Sequence, residues 1–320
     1  MRILHVSDTH LGLRQRVRGA PGGWSRADDH LSALRAALDL ALDVDLVVHT
    51  GDLYDRSRPP GTTVAATAAL LVATARRVPV VVLAGNHDRR GLSATVPLTT
   101  PGLHVVDHAR HLRVAGLALA VVPFLADADG WAAAARRAVG GGADLLLCHQ
   151  AVDGCQVPGF TFRARVQRDT LGERHLPPGV DHLLCGHLHP RQVVQVGHAT
   201  VVMPGSTERT SFVERDQVKG AALWELERAP RWRWLDLPAR PMVLVHTPAD
   251  LDRVAPGVLV RVVDADADLE AASLDRGGWL VGPPGTAGPG PRPLRRQVEL
   301  FGGGPPGSAQ RQASPRWSSP

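Results

Sequence analysis

Residues 80–88 read Val80-Val81-Val82-Leu83-Ala84-Gly85-Asn86-His87-Asp88. A short, unbroken apolar run gives way at a glycine to an amide, an imidazole and a carboxylate. Such a run is a strand buried on both faces, as in a parallel sheet covered by helices. The polar cluster then falls at the carboxyl end of that strand, where open α/β sheets bind their ligands.

The same construction recurs along the chain. Residues 3–6, 46–49, 117–122, 145–148 and 182–185 also read as buried strands. Four of them run into Asp8-Thr9-His10, Gly51-Asp52-Leu53-Tyr54-Asp55, Cys148-His149-Gln150 and Gly186-His187-Leu188-His189. Five polar clusters at five strand ends converge on one rim. Between the strands lie helical patterns at 28–42 (apolar at Leu31, Leu34, Leu38 and Leu42), 62–75 and 130–139. This alternation predicts an α/β sandwich with helices outside the sheets.

After residue 189 the pattern changes to successive strands at 192–196, 200–203, 221–226 and 232–237. A linker is expected around 238–241, then strands at 243–246 and 258–263 with a short helix at 248–253. From about residue 277 Gly-Pro runs take over, a composition that cannot form a packed core. The expected organisation is a main domain over 1–237, a partial capping domain over 238–276 and a disordered tail over 277–320.

The residue types in the clusters suit divalent metals. Carboxylate, imidazole and amide oxygen are hard to borderline donors, fit for manganese, iron or zinc. Asp8 and His10 stand two apart, as do His187 and His189, so each pair can face one side if its segment is extended. Glycines 51, 85 and 186 let the backbone turn closely beneath a ligand. Any one segment is weak evidence; the ordered set is not.

Taken together, D-x-H, G-D-x-x-D, G-N-H-D, a lone His and G-H-x-H resemble the signature of the calcineurin-like metallophosphoesterases. The opening Met1–Gly12, the Leu147–Gly154 segment and the block Met203–Phe212, followed by Glu214-Arg215-Asp216 and Lys219-Gly220, narrow the resemblance to SbcD-type DNA-repair nuclease subunits. The resemblance implies a four-layer α/β/β/α metallophosphoesterase sandwich with a partial C-terminal cap. Asp8, His10, Asp52 and His189 would hold one metal; Asp52, Asn86, His149 and His187 would hold the other, with Asp52 bridging. His87 would contact the phosphate and protonate the leaving oxygen. The implied cofactors are two divalent ions, manganese foremost and iron or zinc as alternatives. The implied activity is metal-dependent phosphodiester cleavage of DNA. The rivals are a general phosphoesterase acting on a small substrate such as a cyclic nucleotide, and a non-catalytic DNA-binding assembly subunit. The implied partners are DNA, a second copy of the chain and an SbcC-type ATPase, although no docking segment for that ATPase is recognisable.

Composition sets the outer limits. A net charge of +5 and a pI near 10.0 favour an anionic partner. Lys219 is the only lysine, so the positive charge is nearly all arginine. Three cysteines are too few for a disulfide framework. With no apolar run long enough to span a bilayer and no signal-peptide pattern at the N-terminus, a cytoplasmic protein is expected. Cys148 and Cys185 sit at apolar strand positions and read as small hydrophobes rather than zinc ligands. His5 and His49 read as core residues, and Trp232 and Trp234 as packing residues.

Overall fold

A computed structural model describes residues 1–282, apart from 16, 89, 90, 97, 98, 161, 162, 166 and 228. Of the expected tail, residues 283–320 lie outside the described residues, and with them the stretch where an ATPase-docking segment would fall.

Two six-stranded sheets are stacked face to face. The first runs Pro230–Leu237, Lys219–Leu226, Arg2–Val6, Leu46–His49, Val80–Leu83, Leu103–Val106. Its last four strands are parallel, and Lys219–Leu226 joins Arg2–Val6 antiparallel. The second runs Gln192–Val196, Ala199–Met203, His182–Gly186, Leu145–His149, Leu117–Val122, Arg110–Val114. Between the sheets pack Ile3, Val48, Leu83, Val121, Leu147, Leu184 and Trp224. The helices Arg26–Asp39 and Gly61–Ala75 cover the outer face of the first sheet, and Ala128–Val139 covers that of the second. This is the expected α/β/β/α sandwich. Its central strands read as continuous apolar runs because both faces of each sheet are buried.

The structure departs from the sequence reading in places. The first helix ends at Asp39 and tightens into a 3₁₀ turn over Leu40–Asp43, which carries Leu42 out to 74% exposure. Leu42 therefore lies outside the apolar stripe of Leu34 and Leu38, both buried. The edge strands Leu103–Val106 and Arg110–Val114 were not anticipated; Arg110–Val114 has only one buried residue and mixes His and Arg with its apolar positions.

The C-terminal unit is a four-stranded sheet in the order Met242–Val245, Leu259–Val262, Trp279–Val281, Val17–Arg18. The helix Ala267–Asp275 closes a small core of Val243, Val245, Val260, Leu269 and Leu280. The sheet extends past residue 276 because Gly277, at φ 74, turns the chain into one more strand. Its fourth strand comes from the N-terminal region and pairs antiparallel with Trp279–Val281. Arg240 docks the unit onto the sandwich. Its guanidinium lies 4.8 Å from the Trp24 ring and 4.4 Å from the Trp279 ring. It also donates to both carboxylate oxygens of Asp29, at 2.7 and 2.6 Å.

Candidate metal centre

All five polar clusters reach one rim of the sandwich, on loops that leave Arg2–Val6, Leu46–His49, Val80–Leu83, Leu145–His149 and His182–Gly186. Ligand atoms of Asp8, His10 and His189 lie within 4.8 Å of one another, as do those of Asp52, His149 and His187. The Asn86 amide oxygen joins the second group, 3.0 Å from His149 Nε2 and 2.8 Å from His187 Nδ1. Asp52 lies between the groups, with Oδ2 at 3.4 Å from His149 Nε2 and 3.8 Å from His10 Nε2. Every residue assigned to a metal from the sequence is therefore brought to this one centre.

The backbone achieves this differently from the extended segments expected. Asp8 (φ 51), His10 (φ 45), Asp52 (φ 52) and His187 (φ 100) all have positive φ, a region L-residues seldom occupy. Each such residue costs on the order of 1–3 kcal/mol and persists only where its surroundings over-determine it. Here the loops cross-bond. Asp8 N–H donates to Gly51 O and His10 N–H to Asp52 O, both at 3.0 Å, while His187 N–H donates to the Asp8 carboxylate at 3.1 Å.

Glycine is required where these loops cross. A Cβ on Gly85 would run into the carboxylate and backbone nitrogen of Asp52, and one on Gly186 into Ser7 and the Thr50 carbonyl. The obstacles include backbone atoms, so a side chain cannot simply swing away. We expect Gly85→Ala to displace Asp52, to lower stability by about 1–3 kcal/mol and to lower bound metal, read by thermal unfolding and elemental analysis. Wild-type metal content in a folded Gly85→Ala protein would contradict this account of the loop crossing.

The electrostatics favour a cation. Asp8 and His10 are buried, and burial holds the Asp8 carboxyl above its usual range and His10 well below the usual imidazole range. Burial would also discharge His149, but Asp52 and Asp8 beside it push its pKa up to about 10. The pocket thus draws positive charge to itself, and in the protein alone a proton on His149 supplies it. A divalent ion would do so more fully, with release of that proton. The donor set and its charge therefore fit divalent metal.

His87 stands beside the two groups. Its Nδ1 donates to the Asp55 carbonyl at 2.8 Å, its N–H donates to Asp52 Oδ1 at 2.8 Å, and its ring meets His10 edge-on at 4.8 Å. Ligand atoms of His10, Asp55 and His87 form a third close group. Burial opposes charge on His87, yet Asp52 and the Asp55 carbonyl raise its pKa above the ordinary imidazole value.

Three supporting residues carry no individual site assignment in the sequence reading. Asp88 is buried and its carboxylate accepts from the backbone N–H groups of Leu53, Tyr54 and Gly85 at 2.8–3.0 Å, tying two site loops together. Its place directly after His87 was the available signal. Glu214 accepts from His189 Nδ1 at 2.8 Å, and Lys219 donates to Glu214 at 2.6 Å. Both are buried at about 2% exposure or less, and only their position in the 203–220 block hinted at a link to the site. His5 and His49 are buried core residues, and Trp232 and Trp234 pack against the inter-sheet core, as expected. All three cysteines are buried and free.

Comparison with known proteins agrees with this geometry. Residues 1–191 match the Calcineurin-like phosphoesterase family. Over 109 residues the chain is 35% identical to the DNA double-strand break repair protein Mre11 of Thermoplasma acidophilum, covering 32% of this chain and 28% of that one. Over 317 residues it is 27% identical to the SbcD subunit of the nuclease SbcCD of Rhodobacter capsulatus, covering 81% and 74%. The Mre11 of Haloferax volcanii is 31% identical over 235 residues, covering 67% and 47%. The chain thus spans between 28% and 74% of the length of these three relatives.

Proposed function

The chain belongs to the calcineurin-like phosphoesterase family, and from that premise we propose that it is a metal-dependent DNA phosphodiesterase, an exonuclease or endonuclease of double-strand-break repair. The observation that carries this reading is the complete donor set gathered at one rim. The names of the relatives, a nuclease subunit and DNA double-strand break repair proteins, supply the substrate class. We place the nuclease unit at 1–237 and a DNA-capping unit at 238–276, extended to residue 281 by the strand Trp279–Val281. The buried free cysteines are in keeping with a reducing, cytoplasmic setting. Among the described residues no helix is long and apolar enough to cross a membrane.

In this reading Asp8, His10, Asp52 and His189 would hold one ion and Asp52, Asn86, His149 and His187 the other, with manganese the preferred metal. When bound, the pair supplies charge stabilisation for the phosphodiester and a nucleophile at neutral pH. Asp52, whose carboxylate lies between the two groups, would give both positions a shared neutralising charge. His87, held by the Asp55 carbonyl, keeps its Nδ1 occupied as a donor and leaves Nε2 to serve the leaving oxygen. In the protein alone, against the effect of burial, Asp52 and the Asp55 carbonyl raise the pKa of His87, and the Asp55 carbonyl fixes the ring so that Nε2 can act as the proton donor.

The decisive experiment compares hydrolysis of linear duplex DNA and of a chromogenic phosphodiester, with Mn²⁺ and with chelator. Metal-dependent cleavage of DNA is expected; hydrolysis of the small ester alone would favour a small-substrate phosphoesterase. Arginine–phosphate contacts also make DNA affinity fall by about tenfold or more between roughly 50 and 200 mM salt. A flat salt response in a binding titration would remove DNA as the substrate.

A further inference from the structure

An imidazole offers a metal only one of its two nitrogens, and the partner of the other nitrogen decides which one. His189 Nε2 faces the first group, 3.1 Å from His10 Nε2. Its Nδ1 faces away from the centre, toward Glu214 Oε1 at 2.8 Å. An ionised carboxylate can only accept hydrogen bonds.

Glu214 is itself held on every side. Thr210 donates through its hydroxyl to Oε1 at 2.5 Å and through its backbone N–H to Oε2 at 3.2 Å. Lys219 Nζ donates to Oε2 at 2.6 Å, and also to Ser206 Oγ at 2.8 Å and Gln217 Oε1 at 2.9 Å. The Arg209 guanidinium pins the same loop by donating to the backbone carbonyls of Glu214, Gln217 and Arg240 at 3.3, 3.0 and 2.9 Å. A buried carboxylate with an ammonium on one side and an imidazole on the other is expensive unless both bonds are kept.

We propose that Glu214 is a positioning residue: braced by Lys219 and Thr210, it keeps the proton of His189 on Nδ1 and aims the Nε2 lone pair at the ion shared with Asp8 and His10. The block that follows the last cluster thereby serves the metal centre rather than only the fold. Glu214 touches no substrate; it acts through His189. The inference rests on the metal-site assignment made above, and its test separates the two.

The direct test is the ¹⁵N spectrum of the histidine side chains in the full, metal-free protein, with His189 assigned by its loss in His189→Gln. The Nδ1–H tautomer is expected for His189; an Nε2–H tautomer would overturn the proposal, and only the assignment variant, not a variant of Glu214, has to fold for this reading. The second arm is Mn²⁺ titration, followed by electron paramagnetic resonance of the free ion. Glu214→Gln should weaken one of two ions by about 10–100-fold and leave the other unchanged, while His189→Ala should lose one ion. If His189→Ala keeps both ions, the metal-site assignment fails. If His189→Ala loses one ion but Glu214→Gln binds both as the wild type does, the role of Glu214 alone is refuted.

Discussion

Asp52→Asn should empty both metal positions at once and lower phosphodiester hydrolysis by about a thousandfold or more. Asp52 lies between the two groups, and the same Oδ2 approaches His149 at 3.4 Å and His10 at 3.8 Å. Burial would favour its neutral form, yet His149 and His87 beside it hold its carboxyl well below the usual range, so it stands as a permanent anion. Asparagine keeps the shape and removes the charge. Two cations brought close together would then repel with one neutralising group missing. The loss of several kcal/mol of charge stabilisation corresponds to the expected rate change. Elemental analysis per chain, alongside the rate, checks the expectation. One ion retained at full occupancy would show that Asp52 serves a single site.

His87→Ala should behave in the opposite way: nearly full metal content with hydrolysis down about 10²–10⁴-fold, the range for loss of a general acid. The ring donates to the Asp55 carbonyl and meets His10 edge-on, and its backbone N–H braces Asp52. The substitution keeps that backbone bond and removes only the imidazole. The effect should be smaller for an ester whose leaving group is already a weak base, because such a group does not need the proton. Elemental analysis that finds an ion missing from His87→Ala would make His87 a ligand, a role compatible with the close His10, Asp55 and His87 group.

The fold was legible because its central strands are buried on both faces. Runs such as Val80–Leu83 and Leu46–His49 admit no alternating pattern and end where a polar cluster starts. The gathering of the donor residues was legible for the same reason, since strand ends in stacked parallel sheets must share a rim. What stayed hidden depends on partners far away in sequence. The strand Val17–Arg18 is two residues long and exists only because Leu280 and Val281 pair with it. The positive φ at Asp8, His10, Asp52 and His187 comes from hydrogen bonds between loops, and no local pattern of side chains encodes it. Glu214 looks like any surface acid until the hairpin folds it against His189. Leu42 fitted a helical stripe, but the helix stops three residues before it.

The only lysine of the chain is Lys219, and it is 1% exposed with its ammonium bonded to Glu214, Ser206 and Gln217. The folded chain therefore shows solvent no side-chain amine. Reagents that acylate or crosslink amines have no lysine to attack on its surface, so coupling chemistry built on lysine will leave the folded molecule unmarked by that route. The same isolation makes Lys219 a clock. Acylation at that position must wait for the brace behind His189 to open, and its rate under mild denaturant reports how often the wall of the metal centre comes apart.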